Sequence, residues 1–237
     1  MTNKNRSNGT DKLVAAAIIA ILSAAYIVCT CVRITATASP KPVFTVVIDA
    51  GHGGIDGGVS GKTSGARESE LNLDIARKLK AKFDKSGAKT VMTRKTEAGL
   101  YGIYSKGFKR RDMQKRKQIT LNAKADVFVS IHLNYYSSPL RRGAQVFYKI
   151  DEEKSKSLAD IVQAELNGGK ECERDYTALA GDYYVLNEAD CAAILCECGF
   201  LSNAEDEKLL LTDEYRAEIA EKIFNGIEKY RFSLVDK

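Results

Sequence analysis

Histidine and proline are scarce in this sequence of 237 residues, with two and three copies respectively. The few prolines and the lack of any low-complexity tract argue against long disordered linkers.

None of the six cysteines has Cys-x-x-Cys spacing, which argues against a cysteine-rich zinc knuckle. In an exported chain a disulfide from Cys172 or Cys191 is an open alternative, because the sequence does not pair the cysteines. The six are Cys29, Cys31, Cys172, Cys191, Cys196 and Cys198.

The composition is that of an ordinary globular protein. The chain is long enough for one α/β domain and an additional N-terminal segment. The formal net charge is +5, and much of the excess lies at the N-terminus and in residues 106–117. The positive charge is therefore local. For residues 106–117 two interpretations stay open, a solvated helix face or a contact with an anionic partner.

An uncharged, mostly apolar run occupies residues 13–32 and follows a polar, positively charged tail at residues 1–12. Twenty residues at about 1.5 Å each cross roughly 30 Å of hydrocarbon. The positive tail favours a cytoplasmic N-terminus, so the remainder of the chain is exported. We therefore expect a transmembrane anchor at 13–32, a linker at 33–42 and an exported domain at 43–232.

A cleaved signal segment is the alternative to an anchor. Ala36-Thr37-Ala38, before Ser39 and Pro40, resembles a signal-peptidase site. The apolar run is long for a cleaved signal, and Arg33 separates it from that site, so the anchor is preferred. In both versions the domain lies outside the cytoplasm, which removes nucleic acid as a partner.

From residue 43 onward, apolar strand patterns alternate with amphipathic helix patterns. This alternation predicts a single three-layer α/β domain, in which helices flank a mainly parallel or mixed sheet. Ser202-x-x-Glu205 has the form of a capping box that opens a short helix. Strands are predicted at 43–49, 89–93, 125–133, 144–150, 183–186 and 192–198, and helices from 68 to Gly87 and at 109–122, 158–166 and 215–230.

Both histidines follow or end apolar strands, where open α/β sheets place their chemistry. His52 lies among glycines directly after the strand at 43–49, and His132 ends the strand at 125–133. A catalytic zinc site needs neutral imidazoles and usually a carboxylate, and it keeps a fourth position for water. The residue pattern leaves four candidates for the carboxylate: Asp49, Asp56, Glu68 and Glu70.

Glu197 interrupts the apolar stretch Ile194-Leu195-Cys196-Glu197-Cys198. Strand alternation places Cys196 and Cys198 on one face as core residues and Glu197 on the other. A buried carboxylate is costly unless it is paired or near a metal, and burial raises its pKa toward the range useful for proton transfer. Glu197 is therefore a candidate general base and acid, and a structural ion pair with Arg94 or Arg116 is the alternative.

Four ordered motifs, VIDAGHGG, ESELNL, SIHLN and ECGFLSN, resemble those of the type-3 family of zinc-dependent N-acetylmuramoyl-L-alanine amidases. The resemblance covers residues 43 to 230. It implies that His52, Glu68 and His132 bind zinc and that Glu197 is catalytic, and so it selects Glu68 over Glu70. Ala50 departs from the pattern, because family members often have proline there.

The resemblance implies hydrolysis of the amide between N-acetylmuramic acid and L-alanine in peptidoglycan. An anchor with a bare catalytic domain is most similar to sporulation-type members, which prepare cortex for muramic-δ-lactam formation. Arg94 and Asn134 are weaker candidates for orienting substrate, and an accessory protein is an expected partner. The alternatives are a zinc carboxypeptidase or endopeptidase acting on the stem peptide, and a non-catalytic wall-binding protein.

Overall fold

A computed structural model describes residues 7–36, 43–167 and 175–235 of the chain. The chain divides into two compact units, residues 1–42 and 43–237. The predicted linker beyond residue 36, most of the signal-peptidase motif and Cys172 lie outside the described residues. The predicted domain bounds remain predictions.

The first unit consists of one helix, α1 (Ser7–Ala36). Within it, Thr10–Cys29 is long and apolar enough to cross a membrane, and none of that stretch is buried inside the protein. A soluble helix with so many exposed aliphatic side chains would leave its apolar surface in water. The helix is therefore a candidate membrane span or signal segment.

The second unit is built on a mixed sheet of six strands in the order β2-β1-β3-β6-β4-β5. The neighbours β2, β1, β3 and β6 run parallel, whereas β4 is antiparallel to β6 and parallel to β5. The predicted fold class is confirmed. The strands are β1 (Thr45–Ala50), β2 (Lys89–Met92), β3 (Val127–Asn134), β4 (Gln145–Lys149), β5 (Leu179–Gly181) and β6 (Ala192–Phe200).

Helices cover the two faces of the sheet unequally. The long α2, α4 and α7 pack on one face, and α3 with the four-residue α5 covers the other. The apolar residues of α2 at four-residue spacing are buried as predicted, and Gly87 ends that helix with a φ of 77°. The helices are α2 (Glu68–Ser86), α3 (Phe108–Ala123), α4 (Glu153–Asn167), α5 (Tyr184–Asn187), α6 (Ala204–Leu210) and α7 (Asp213–Ser233).

Strand alternation assigns side chains to the two faces. Val46 and Ile48 of β1 point into the large core under α2 and α7, and Val47 points into a small cluster with Phe128 and Leu195. Asp49, two residues after Val47, lies on the same thinly covered face. The thin cover leaves room at the carboxyl ends of β1, β3 and β6 for a cleft.

The predicted strand at 183–186 is wrong. Residues Tyr184–Asn187 form α5, because the amides of Leu186 and Asn187 both donate to the carbonyl of Tyr183. Leu186 is buried while Tyr184 is exposed, and a short apolar run of this kind does not distinguish helix from strand by periodicity. The strand of this region is β5, which begins at Leu179.

The predicted capping box at Ser202 is wrong, because the N-cap of α6 lies one residue later. Asn203, not Ser202, is the N-cap of α6, and its side-chain oxygen accepts from the amides of Glu205 and Asp206 at 3.0 Å each. The hydroxyl of Ser202 accepts instead from the amide of Tyr136 at 3.0 Å. Asparagine is a strong N-cap, so the neighbouring serine is available to hold another loop.

Candidate active site

His52 is the second residue of the glycine-rich loop that follows β1. Its backbone has a φ of 61°, in the left-handed region that non-glycine residues rarely occupy. This conformation directs Nε2 toward Glu68, 3.3 Å from Oε1, and Nδ1 toward Asp56, 3.2 Å from Oδ2. Strained backbone of this kind concentrates at functional sites, where the surrounding structure maintains it.

Glu68 is the first residue of α2 and is buried to 2% exposure. Its Oε2 accepts from the amide of Val59 at 2.8 Å, and its Oε1 accepts from the amide of Leu133 at 3.1 Å. Burial opposes the charge, but interactions with His132 and His52 outweigh it and hold the pKa of the Glu68 carboxyl well below its usual range. Glu68 is therefore an anion fixed between the two histidines.

His132, near the end of β3, completes a three-residue set. Its Nδ1 lies 3.0 Å from Glu68 Oε1, and its ring centroid lies 5.0 Å from that of His52. One ligand atom from each of His52, Glu68 and His132 lies within 4.8 Å of the others. Two imidazoles and one carboxylate form a donor set that suits catalytic zinc and leaves a coordination position open.

The other candidate carboxylates have different surroundings. Asp49 is fully buried and accepts hydrogen bonds from Thr93 and Ser130 as well as from Arg116. Asp56 contacts the His52 nitrogen opposite the one that faces Glu68, which is the arrangement that orients a ligating histidine. Glu70 is exposed on α2. The geometry thus distinguishes Glu68 from the three alternatives.

Two glycines are required by close packing around this set. A Cβ on Gly51 would lie 2.4 Å from ring atoms of His132. A Cβ on Gly58, whose φ is +69°, would lie 2.3 Å from Glu68 Oε2 and 2.8 Å from the His52 ring. Any other side chain at these positions would displace the three clustered residues.

Glu197 lies beside His132 in the sheet, since the two are register partners on β6 and β3. Its Oε2 is buried and has no hydrogen-bond partner within the described part of the chain. Burial raises the pKa of the Glu197 carboxyl to about 7. A buried oxygen without a partner is costly, and its position beside the three clustered donor residues fits a group that accepts and donates a proton during hydrolysis.

A cleft of about 400 Å³ opens over these residues, between α3 and α5. His52, His132 and Glu197 lie at its base, and aromatic and aliphatic side chains form the walls. The wall residues are Tyr101, Phe108, Lys109, Met113, Tyr183, Tyr184 and Val185. The cleft therefore offers a convergent polar centre within an apolar groove, as binding sites generally do.

Comparison with known families decides the identity. The family model described as N-acetylmuramoyl-L-alanine amidase matches residues 46–229. The chain belongs to this family. The amidase is thus a hydrolase that acts on peptidoglycan outside the cytoplasm, so the wall-binding alternative without catalysis is not supported.

Proteins from Bacillus and Clostridioides species are similar to this amidase. The germination-specific N-acetylmuramoyl-L-alanine amidase of Bacillus subtilis is 33% identical over 190 residues, which cover 78% of each chain. The structure of the CwlD amidase from Clostridioides difficile in complex with the GerS lipoprotein matches with a TM-score of 0.77 and 35% identity, over 80% of this chain and 99% of that one. An N-acetylmuramoyl-L-alanine amidase from Clostridium difficile 630 matches with a TM-score of 0.72 and 34% identity, over 81% and 98%.

A buried ion-pair network supports the histidine loop of the amidase. Arg116, 1% exposed, bonds Asp49 Oδ1 at 2.5 Å and Asp112 Oδ2 at 2.6 Å. It also donates to the carbonyls of Ala50 and His52 at 2.8 and 2.6 Å. Arg116 is thus paired with Asp49 and Asp112 rather than with Glu197, and it fixes the backbone that carries the first histidine.

The two weaker substrate-orienting candidates lie beside the cleft in the amidase. Arg94 is 3% exposed and donates to the carbonyls of Ala50, Gly51 and Ser69, so it supports the glycine-rich loop from beneath. Asn134 ends β3, and its Oδ1 accepts from the next amide in the chain at 2.8 Å. Neither is among the described residues that line the cleft.

Sequence reasoning missed the residues of the cleft walls. The only signal was the charge of residues 106–117, for which a contact with an anionic partner was left open, and Phe108 and Lys109 of the cleft wall come from that segment. Tyr183 and Tyr184 gave no signal, because their region was predicted to be a strand. Asp56 appeared only as a candidate ligand and not as a partner of His52.

Proposed function

We propose that this amidase hydrolyses the bond between N-acetylmuramic acid and L-alanine with Zn²⁺ held by His52, Glu68 and His132. One observation carries the proposal: the three ligand atoms lie within 4.8 Å of one another, beside the unpartnered Oε2 of Glu197. The close fit of Gly51 and Gly58 supports the same conclusion, because it holds the donor set in place.

Zn²⁺, when bound, supplies a Lewis acid for the amide carbonyl and lowers the pKa of water toward neutrality. Glu197 accepts a proton from the attacking water and then delivers it to the amine nitrogen of L-alanine. Its carboxyl pKa of about 7 suits both steps, because a group that titrates near the working pH can accept and donate. Asp56 keeps the His52 ring oriented through Nδ1.

We also propose a sporulation role, in which removal of stem peptide leaves muramic acid free to form muramic-δ-lactam in the cortex. The names of the germination-specific relative and of the CwlD amidase support this role. In this setting the apolar part of α1 anchors the enzyme, with the catalytic domain outside the cytoplasm. The GerS lipoprotein in the CwlD structure supports an accessory protein as a partner of this amidase.

Digestion of purified peptidoglycan by the zinc-loaded full chain should release intact stem peptides with a free L-alanine amine. Mass spectrometry of the soluble fraction identifies them, together with glycan chains that have lost their peptides. Shortened peptides would instead support the carboxypeptidase or endopeptidase alternative and would contradict the proposed reaction. A digestion with metal chelated from the enzyme provides the control.

Spores that lack this protein should contain little or no muramic-δ-lactam, as measured by muropeptide analysis of the cortex. Restoring the wild-type chain should restore the lactam, and restoring the Glu197→Gln chain should not. A normal cortex in spores without the protein would reject the sporulation role. The amidase reaction itself would stand in that case, since the digestion experiment tests it separately.

A further inference from the structure

Most of the charged side chains that line the cleft belong either to a buried ion-pair network or to the cluster around Glu68. Asp49, Asp112 and Arg116 form one buried network. The two histidines belong to the donor set with Glu68, and Glu197 lies buried beside it. Lys109 differs from the other basic residues of the lining, because its side chain is 69% exposed.

Lys109 lies in the first turn of α3, at the mouth of the cleft. Its Nζ is 3.6 Å from Asp56 Oδ2, which in turn is 3.2 Å from His52 Nδ1. An exposed ion pair of this length is weak and exchanges readily for a better anion. The ammonium group therefore lies within about two residues' length, roughly 7 Å, of His52 Nδ1.

The chemistry of the substrate places its negative charges on one side of the scissile bond. On the muramic acid side, the lactyl carboxyl is consumed in the amide and the remaining groups are uncharged. On the peptide side, the acidic residue after L-alanine is linked through its side chain and carries a free or amidated α-carboxyl group. That group lies about two residues' length, roughly 7 Å, from the reacting carbonyl. This separation is comparable with the distance from His52 to the Lys109 ammonium group, which lines the same cleft.

We propose that Lys109 binds the α-carboxylate of the stem-peptide residue that follows L-alanine and so makes this amidase selective for stems in which that group is not amidated. This inference rests on the proposed function. The contact between Lys109 and the carboxylate would also orient the substrate, because the bound peptide would then extend from the metal site along α3, past Phe108. A charge-assisted hydrogen bond to a carboxylate gives Lys109 discrimination that the apolar walls cannot provide.

The test compares two soluble glycan tetrapeptides that differ only in this group, one with the free α-carboxyl and one with its amide. The zinc-loaded full chain in detergent should show a kcat/KM about tenfold higher for the free acid, mainly through KM. Lys109→Gln should abolish that preference, so that the ratio of kcat/KM for the free acid to that for the amide falls to about one. Lys109→Arg should retain much of the preference.

Lys115→Gln is the matched control, because it removes the same charge from an exposed position of the same helix that does not line the cleft. It should keep the tenfold preference. Equal cleavage of both compounds by the wild type, or a preference that survives in Lys109→Gln, would overturn the inference while leaving the proposed function intact. Cleavage of neither compound would overturn the proposed function, and this inference with it.

Discussion

Replacing Glu197 by glutamine is expected to lower kcat by about 10²–10⁴-fold while zinc remains bound. Glutamine has the same shape, so it fits the position opposite His132 in the sheet without disturbing the ligands. It cannot accept a proton from water or return one to the amine. Turnover assays on peptidoglycan, together with zinc content by elemental analysis, measure the two effects independently.

Glu188→Gln is the control for this variant, because it makes the same chemical change at the end of α5, where Glu188 pairs with Lys117. It should retain nearly full activity. If Glu197→Gln turned over at the wild-type rate, Glu197 would not be the proton carrier. If it lost zinc as well as activity, Glu197 would act in holding the metal instead.

Glu68→Gln is expected to weaken zinc binding by at least about 100-fold and to abolish activity at limiting metal. The variant removes the negative charge of the proposed ligand between His52 and His132. Its carbonyl oxygen can still accept from the amide of Val59, so we expect the fold to persist. Zinc titration measures the affinity, and circular dichroism checks the fold.

Glu70 provides the comparison that the sequence itself suggests. It lies two residues further along the same helix, is exposed, and was an equal candidate by residue pattern alone. Glu70→Gln should bind zinc and turn over like the wild type. Equal zinc affinity in the Glu68 and Glu70 variants would remove Glu68 from the ligand set.

The predictable parts of the fold are those in which the spacing of apolar residues within one helix or strand already determines which side chains are buried. Apolar side chains at four-residue spacing form one face of α2, and that face packs against the core. All four of these residues are buried: Leu71, Ile75, Leu79 and Phe83. Alternation in β6 likewise separates Glu197 from Cys196 and Cys198, which lie in the large core as predicted. The described cysteines Cys29, Cys191, Cys196 and Cys198 are free thiols.

The parts that were not predictable depend on contacts between distant segments. The choice of Glu68 required the approach of α2 to β3, which no spacing in the sequence reveals. Likewise, the pairing of Arg116 with Asp49 joins residues 67 positions apart. The helix α5 is a single turn, in which the Tyr183 carbonyl accepts from the amides of Leu186 and Asn187 and the Tyr184 carbonyl accepts from the amide of Glu188. The apolar composition of so short a segment misled the prediction.

The order of the strands along the chain governs when the proposed site can assemble. A chain exported from its N-terminal end presents His52 first, but β1 pairs with β3, and β3 with β6, which ends at Phe200. Such long-range pairings form late, because distant segments must meet before their contacts stabilise one another. A chain that ends before β6 therefore cannot assemble the proposed site, because it lacks Glu197 and one of the two strands that pair with β3.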